Sequence, residues 1–428
     1  MWTRGRTSTR VVEDPDVALQ GGKVKSFLRW DHGCQFIRAD VPQFRSVIEG
    51  WVERGWAREW KGKFYHAPGT EFFGMGGAGY GGPFFVGVGG FRQMITSILE
   101  DAATLGVTLH KGIRVAGVIP SNNRAWVLHG VSGEAAFHDT PETVAAAATS
   151  SIIGHAGGYD AVILTDLSSS FGGWHRASAG VPESFATLVK EKVGARVPLF
   201  TVMIAFEEQL PVLFDAATFG DDNDDDTLWF ACRKPGILSP VDGLVSCRDC
   251  WVIVSTPEYA MRQIEEVPMQ TNDGTFIPQP KNYLIDVASD LEKNFRRVVN
   301  AGALTNGQKL DHQTLPNTCY LNAQRWGSAM RAHPSSTPTP KPNNRTNATF
   351  RKKIMGVVYD SRRDSLAPTL ELALSGENVD TFVSDPDSMI FQAGDMVGAH
   401  TPGAESAALS GLDCGRHVRE LLIGKKCV

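Results

Sequence analysis

The sequence has 428 residues, of which 42% are hydrophobic and 21% are charged, and its formal net charge is −5. This composition is typical of a soluble globular protein, and the length favours two domains. The charge gives no reason to expect nucleic acid or an anionic membrane as a partner, and no apolar run in the sequence is long enough to span a bilayer.

The first elements are predicted from apolar periodicity. Apolar residues spaced at i, i+3, i+4, i+7 and i+8 predict a helix over 43–60, with Gly55 as its closing signal. The segment 84–88 predicts a strand, and a second apolar stripe from Phe91 to Leu105 predicts a helix that ends at Gly106.

A glycine-rich segment, "GMGGAG" at 74–79, matches the G-x-G-x-x-G pattern of dinucleotide-binding proteins. In those proteins a strand leads into the glycines and a helix starts directly after them, so that free N–H groups face a pyrophosphate. Here Gly81, Gly82 and Pro83 follow and prevent a helix from starting. We therefore interpret the segment as a glycine loop and not as a phosphate site.

The middle of the chain is predicted to be rich in strands. Short strands are expected between 107 and 130, with a turn at 120–123, and the continuous apolar run at 159–165 is typical of a buried parallel strand. Three later apolar segments predict a mostly antiparallel sheet, namely 197–208, 227–233 and 250–257.

Two polar segments and one cysteine pair are candidate functional sites, but each fits a structural interpretation better. The run "DDNDDD" at 221–226 lacks the ligand spacing of a calcium loop and predicts a solvated turn, and 333–349 predicts a low-complexity linker or surface insertion. Cys247 and Cys250 have no second pair at zinc-site spacing. Seven cysteines without a framework pattern favour reduced thiols, so we expect a soluble cytosolic or organellar protein without a metal site.

Several segments, taken in order, resemble renalase-like flavoproteins of the FAD-dependent amine-oxidase-like group. The match "D-H-G-x-Q" followed by "P-x-F" and a helix carries the most weight. The resembling segments are 4–10, 30–60, 84–99, 159–165, 228–236, 251–260, 324–332 and the terminal Gly-Asp turn with its helix. The resemblance covers most of the chain, with insertions around 137–158, 258–310 and 333–385.

The resemblance implies FAD as the cofactor and assigns its phosphates, adenosine and sugar-like chain to particular residues. Gly5, Arg6 and Thr9 match the segment beside the pyrophosphate, where the guanidinium supplies a fixed pair of donors. Val115 matches the strand whose backbone meets the adenine. Asp395 matches the carboxylate that accepts hydrogen bonds from the sugar-like chain.

The resemblance also implies where the isoalloxazine ring lies. The segment that passes the ring is matched by Asp31, His32, Gly33 and Gln35. The final helix starts at about Glu405 and includes Ala407, and its positive end would face the N1–C2 edge of the flavin. Trp251 is a candidate aromatic wall of the substrate cavity, with a core tryptophan as the alternative, and no catalytic residue is assigned.

The expected fold is α/β plus α+β, with a parallel-sheet domain of FAD/NAD(P)-binding type interleaved with a mostly antiparallel substrate domain. The cofactor domain is expected at 1–34, 84–190 and 386–428, and the substrate domain at 35–83 and 191–385. In the resembling family a true G-x-G-x-x-G strand–turn–helix precedes the Gly-Arg segment. The chain starts at the Gly-Arg segment, so the first βαβ of the cofactor domain is expected to be missing.

Three functions follow from these interpretations. The favoured one is an FAD-dependent oxidoreductase of renalase type, which moves hydride from a small reduced substrate resembling a dihydropyridine nucleotide to flavin and then to oxygen. The second is an amine oxidase-like flavoenzyme. The third is a non-catalytic truncated homologue that does not retain FAD. The expected partner is a small-molecule substrate, and no oligomeric state is assigned.

Overall fold

The structure is a computed structural model that describes fifteen parts of the chain. They are residues 7–13, 27–67, 70–71, 83–121, 126–132, 151–154, 158–171, 181–219, 227–234, 248–268, 277, 279–300, 315–331, 381–398 and 403–426. Gly5, Arg6, Cys247 and the segments 74–79, 221–226 and 333–349, for which predictions were made above, lie outside the described residues.

The described residues form both strands and helices, which confirms the mixed α/β character. The strands are β1 (Thr9–Glu13), β2 (Phe27–Asp31), β3 (Ile37–Arg38), β4 (Ala57–Glu59), β5 (Phe64–Ala67), β6 (Thr70–Glu71), β7 (Phe84–Gly87), β8 (Ile113–Pro120), β9 (Trp126–Ser132), β10 (Ser151–Ile152), β11 (Val162–Leu164), β12 (Arg196–Phe206), β13 (Ala216–Phe219), β14 (Leu228–Arg233), β15 (Asp249–Ser255), β16 (Thr318–Arg331), β17 (Val383–Asp385) and β18 (Ile390–Gln392). The α-helices are α1 (Pro42–Glu53), α2 (Phe91–Thr104), α3 (Glu183–Val193), α4 (Pro257–Glu266), α5 (Tyr283–Asn300) and α6 (Ala404–Lys426).

The largest sheet has the strand order β16–β12–β15–β14–β13–β5–β6. Its pairs are antiparallel except for β13 with β5, which confirms the mostly antiparallel sheet predicted at 197–208, 227–233 and 250–257. The strand β12, second in this order, is buried on both faces, so its sequence is largely apolar and does not alternate.

The two faces of β12 contact different layers. Phe200, Val202, Ile204 and Phe206 pack in one cluster with side chains of α4 and α5. Leu199, Met203 and Ala205 pack on the other face with Trp30 of β2. The Trp30 indole donates to the Ile204 carbonyl oxygen at 3.1 Å, which fixes β2 against this second face.

The first helix is shorter than predicted. α1 ends at Glu53, the chain turns at Gly55 with φ of 73°, and residues Ala57–Glu59 form β4 in place of the last helical turn. Gly55 adopts the left-handed conformation that ends helices, and β7 then pairs with β4 and satisfies its backbone groups. The prediction over 43–60 was therefore wrong beyond Glu53. The strand at 84–88 and the second helix are confirmed as β7 and α2.

The start of α2 is held by two side chains from a separate hairpin. β1 and β2 pair antiparallel, with Thr9 opposite Asp31. Asp31 Oδ1 accepts the Phe91 N–H at 3.1 Å, and Thr9 Oγ1 accepts the Arg92 N–H at 3.1 Å and donates to Asp31 Oδ1. Gly90 has φ of 93° and a side chain there would collide with both residues, so Asp31 and Thr9 act together as an external N-cap.

The predicted parallel strand is present as β11, which pairs parallel with β18. It is not fully buried, since 41% of Ile163 is exposed. The strands predicted between 107 and 130 are confirmed as the antiparallel pair β8 and β9. The division into two domains stays a prediction. β7 pairs with β3 and β4, so this small sheet joins residues on both sides of the boundary drawn at residue 84.

The external cap of α2 gives a stability prediction. Asp31→Ala removes an acceptor for the Phe91 N–H and the Thr9 hydroxyl, so we expect a loss of about 1–2 kcal/mol in the free energy of unfolding, measured by urea denaturation. Asp101→Ala is the matched control at the other end of the helix. Asp101 makes only an exposed ion pair with Arg54, so its removal should cost less than about 0.5 kcal/mol. Equal losses in the two variants would contradict the capping role.

Candidate functional site

One cavity of about 360 Å³ lies between the start of α6, the segment around β3 and the second face of the large sheet. Its wall is mainly apolar, with polar groups concentrated on the side of α6 and β3. The lining residues are Thr7, Gly33, Cys34, Gln35, Phe36, Ile37, Arg38, Asp40, Leu199, Thr201, Trp229, Phe230, Val254, Trp326, Ala329, Met330, Asp395, Gly403, Ala404, Glu405 and Ala407. A cavity of this size and composition suits a small organic molecule or part of a cofactor.

The N-terminal turn of α6 forms one end of the cavity. Gly403, Ala404, Glu405 and Ala407 all line it, and the first intrahelical bond runs from the Ala407 N–H to the Gly403 carbonyl at 3.0 Å. The N–H groups that precede Ala407 in the helix have no acceptor within it. The positive end of a 23-residue helix therefore faces the cavity.

Asp395 reaches the cavity from the turn after β18. Gly394 has φ of 134°, a conformation that suits glycine, and its N–H donates to Ser410 Oγ of α6 at 2.9 Å. This bond fixes the turn against α6. Asp395 is 9% exposed and lies near the Arg331 guanidinium. Burial lowers the pKa of Arg331, and the charge of Asp395 raises it by a smaller amount.

The segment after β2 forms a second wall. Gln35 Nε2 donates to the His32 carbonyl oxygen at 3.2 Å, which holds the loop through Gly33 in place. The His32 ring stacks on Trp326 with 5.6 Å between ring centroids, and its Nε2 lies 3.3 Å from Ser8 Oγ. Burial and, to a smaller extent, the charge of Arg10 lower the pKa of His32 to about 4, so the imidazole is neutral at neutral pH.

A chain of polar contacts joins β3 to α6. Arg38 donates to Asp40 Oδ1 from Nε at 3.1 Å and from its terminal nitrogen at 2.9 Å. The backbone N–H groups of Asp40 and Val41 donate to Glu405 Oε2 at 2.6 and 3.1 Å. Glu405 Oε1 is buried and has no hydrogen-bond partner. Among the described residues, this atom is the unsatisfied carboxylate oxygen of the cavity wall.

The environment of Glu405 favours its neutral form. Burial raises the pKa of Glu405 to about 7, with a further contribution from the Asp40 carboxylate. The two backbone N–H donors and Arg38 act in the opposite direction. A substantial share of the protein therefore carries a protonated Glu405 at neutral pH.

Five of the sequence-predicted site residues line this one cavity, namely Gly33, Gln35, Asp395, Glu405 and Ala407. His32 is next to them and contacts the wall through Trp326. Thr9 and Asp31 do not line the cavity, because their side chains cap α2. Val115 lies on β8, is 38% exposed and is not part of the wall. The role of each of these residues as a cofactor contact stays a prediction.

The aromatic wall is formed by residues that the sequence analysis did not single out. Trp229, Phe230 and Trp326 line the cavity from β14 and β16. Trp251, the candidate aromatic wall, is fully buried in the other core cluster against Phe214 and Phe295, so its alternative interpretation as a core tryptophan is correct. β14 is apolar on both faces, so no alternation in its sequence identifies the face that meets the cavity.

The described residues contain no metal-ligand group of three or more His, Cys, Asp or Glu side chains. No helix in the same part of the chain has both the length and the apolar character needed to cross a bilayer.

Comparisons with solved structures give low similarities. Reduced UDP-galactopyranose mutase aligns at 12% identity over 79% of this chain and 54% of that chain, with a TM-score of 0.40. An oxidoreductase from Methanosarcina mazei aligns at 10% identity over 78% and 56%, with a TM-score of 0.38. A triple mutant of putrescine oxidase aligns at 9% identity over 79% and 54%, with a TM-score of 0.35.

The chain spans about half the length of the solved structures that it matches. TM-scores at this level carry no argument about the cofactor or the activity of this chain. No protein-family model matches the sequence. No curated protein matches it at a significant level.

The raised pKa of Glu405 predicts a pH dependence of stability. Because this pKa is higher in the folded protein than in the unfolded chain, Glu405 stabilises the fold at pH values below its unfolded pKa, and the contribution is lost as the pH rises through about 7. Relative to Glu405→Gln, which cannot ionise, the wild type should lose on the order of 2–3 kcal/mol between about pH 5 and about pH 8.

The measurement is urea denaturation of both proteins across this pH range. Glu191→Gln makes the same chemical change at an exposed position of α3 and should keep the wild-type pH dependence. A constant effect of the amide group on stability does not affect the test, because the two proteins are compared only in how their free energy of unfolding changes with pH. Parallel pH profiles for the wild type and Glu405→Gln would show that Glu405 does not titrate in this range.

Proposed function

We infer that this chain is a flavin-dependent oxidoreductase of renalase type, which acts with FAD on a small reduced substrate resembling a dihydropyridine nucleotide. In this proposal the bound flavin would supply a hydride acceptor for the substrate, and O₂ would take up that hydride with one proton from the solvent to give H₂O₂. The proposal combines the sequence resemblance with the arrangement of the cavity.

The observation that carries the proposal is the convergence of distant segments on one cavity. Gly33 and Gln35 come from the segment after β2, Asp395 from the turn after β18, and Glu405 and Ala407 from α6. The resemblance assigns these residues to one cofactor. Asp40 and Glu405, which meet in the wall, are 365 residues apart in sequence.

The residues of the cavity are suited to a flavin ring. A planar ring needs apolar contacts on its faces and hydrogen-bond partners on its edge. Trp229, Phe230 and Trp326 supply aromatic surface, while the first turn of α6 supplies unpaired N–H donors beside the unsatisfied Glu405 Oε1. Asp395 would accept hydrogen bonds from the hydroxyl groups of the cofactor chain.

The flavin, when bound, supplies the capacity to accept a hydride. The residues of this chain would bind and orient the two reactants and exclude water. The positive end of α6 would stabilise negative charge at the edge of the reduced ring. The neutral His32 would stiffen the wall through its stacking on Trp326 and would not act as a cation.

An amine oxidase-like activity is the second candidate, and a specific observation favours it. An amine oxidase needs aromatic side chains that flank the ring and admit a neutral amine, and the cavity has two tryptophans in its wall, Trp229 and Trp326. A third candidate is a non-catalytic chain that does not retain FAD.

The assignment of Asp395 predicts a loss of cofactor affinity. Asp395→Ala removes a buried charged acceptor, so we expect FAD binding to weaken by about 1.5–3 kcal/mol, or roughly ten- to a hundredfold in Kd. Fluorescence titration of the purified chain with FAD measures this. Asp387→Ala, at an exposed position eight residues earlier, is the matched control and should bind as the wild type does. Equal Kd values for both variants would remove Asp395 from the site.

The substrate class predicts which reductants bleach the flavin. Under anaerobic conditions, a dihydropyridine nucleotide should bleach the flavin absorbance of the FAD-loaded protein, because hydride transfer from such a donor requires no protein base. A panel of primary amines should leave the absorbance unchanged. Bleaching by amines alone would establish the amine oxidase alternative. Stable flavin absorbance with both classes would support the non-catalytic chain.

A further inference from the structure

The carboxyl group of Glu405 is satisfied on one oxygen only. Oε2 accepts two backbone N–H groups, from Asp40 and Val41, and this pair of bonds joins the first turn of α6 to the segment before α1. Oε1 takes no part in the attachment, and the residue is only 4% exposed. A buried carboxylate oxygen without a partner is costly, so this atom requires an explanation beyond the packing of the two helices.

The charged groups around Glu405 do not supply the missing partner. Arg38, from β3, directs its guanidinium to Asp40 Oδ1. Arg45 of α1 is exposed, and its guanidinium donates to the Ala39 carbonyl oxygen at 3.4 Å. Asp40 and Asp395 are carboxyl groups and repel a second negative charge. Among the side chains that the structure describes in the large sheet, no charged one lines the cavity.

We propose that Glu405 is a proton-linked ligand contact: its carboxyl group takes up a proton when the cavity is filled and donates the O–H to an acceptor oxygen of the ligand. The proton comes from the solvent, and no bond to carbon is made or broken. The inference rests on the proposed function, because it names a carbonyl group at the edge of a flavin-type ring as the acceptor.

The groups at this end of the cavity favour a ligand edge that carries hydrogen-bond acceptor atoms. The first turn of α6 presents N–H donors to the same end of the cavity, so a ligand edge placed there must carry acceptor atoms. A deprotonated Glu405 would direct an unsatisfied negative charge at that edge, whereas the protonated acid adds one more donor. The raised pKa of Glu405 means that the proton is available near neutral pH.

The test is the binding of riboflavin, which carries the ring without phosphate groups that would themselves titrate. Isothermal titration calorimetry in buffers of different ionisation enthalpy measures the number of protons taken up on binding. We expect uptake that rises towards about one proton above about pH 7, and an affinity that falls by up to about tenfold per pH unit there. Below about pH 6 both effects should vanish, because Glu405 is already protonated.

Two variants test whether Glu405 is the group that takes up the proton. Glu405→Gln mimics the protonated acid, since its amide oxygen can accept the two backbone N–H groups while its NH₂ donates to the ligand. It should bind riboflavin without proton uptake and with a constant affinity across the pH range. Glu191→Gln, on the exposed face of α3, should keep the full proton uptake of the wild type.

A measurement on the wild type covers the case in which Glu405→Gln does not fold. With ¹³C-carboxyl-labelled glutamate, one resonance that titrates near pH 7 should move to a higher pKa when riboflavin is added. Riboflavin binding with no proton uptake, with uptake that persists in Glu405→Gln, or with no shifted resonance would overturn this inference and leave the flavin assignment intact. No riboflavin binding at any pH would overturn both.

Discussion

The cavity depends on one interaction, the acceptance of the Asp40 and Val41 N–H groups by Glu405 Oε2. These partners are 365 and 364 residues from Glu405 in sequence, so the interaction closes almost the whole chain into one loop. Apolar contact alone does not specify where a helix end lies along a groove, whereas two directional hydrogen bonds to a single oxygen do. The position of the α6 N-terminus, and with it the polar end of the cavity, follows from this contact.

The other walls follow from the burial of β12 on both faces. α4 and α5 pack against one face, while Trp30 of β2 packs on the opposite face with Met203 and Ala205. Leu199 and Thr201, nearer the start of the strand on that opposite face, line the cavity. The second face of the large sheet therefore supplies both the packing surface for β2 and one wall of the cavity.

The sequence predicts the elements of this fold better than it predicts the contacts between them. α2 and β7 follow from local periodicity, whereas the helix predicted over 43–60 ends at Glu53 because Ala57–Glu59 pair with β7 as β4. The convergence of Gly33, Asp395 and Glu405 was expected only through the resemblance. Trp229 and Phe230 of the aromatic wall could not be assigned from the sequence, because β14 is apolar on both faces. The cap on α2 was also missed, since Asp31 and its partner Phe91 are 60 residues apart.

Asp31 and Glu405 show why an acidic residue in a family-like segment does not define its own role. Both carboxyl groups accept backbone N–H groups at the start of a helix that is remote in sequence. Asp31 Oδ1 also accepts the Thr9 hydroxyl, and Asp31 is half-buried and does not line the cavity. Glu405 makes the same kind of attachment with one oxygen, but it is buried and leaves its other oxygen without a partner beside the cavity. A buried, unsatisfied oxygen in a cavity wall, and not residue type alone, therefore distinguishes the acid that is available to a ligand.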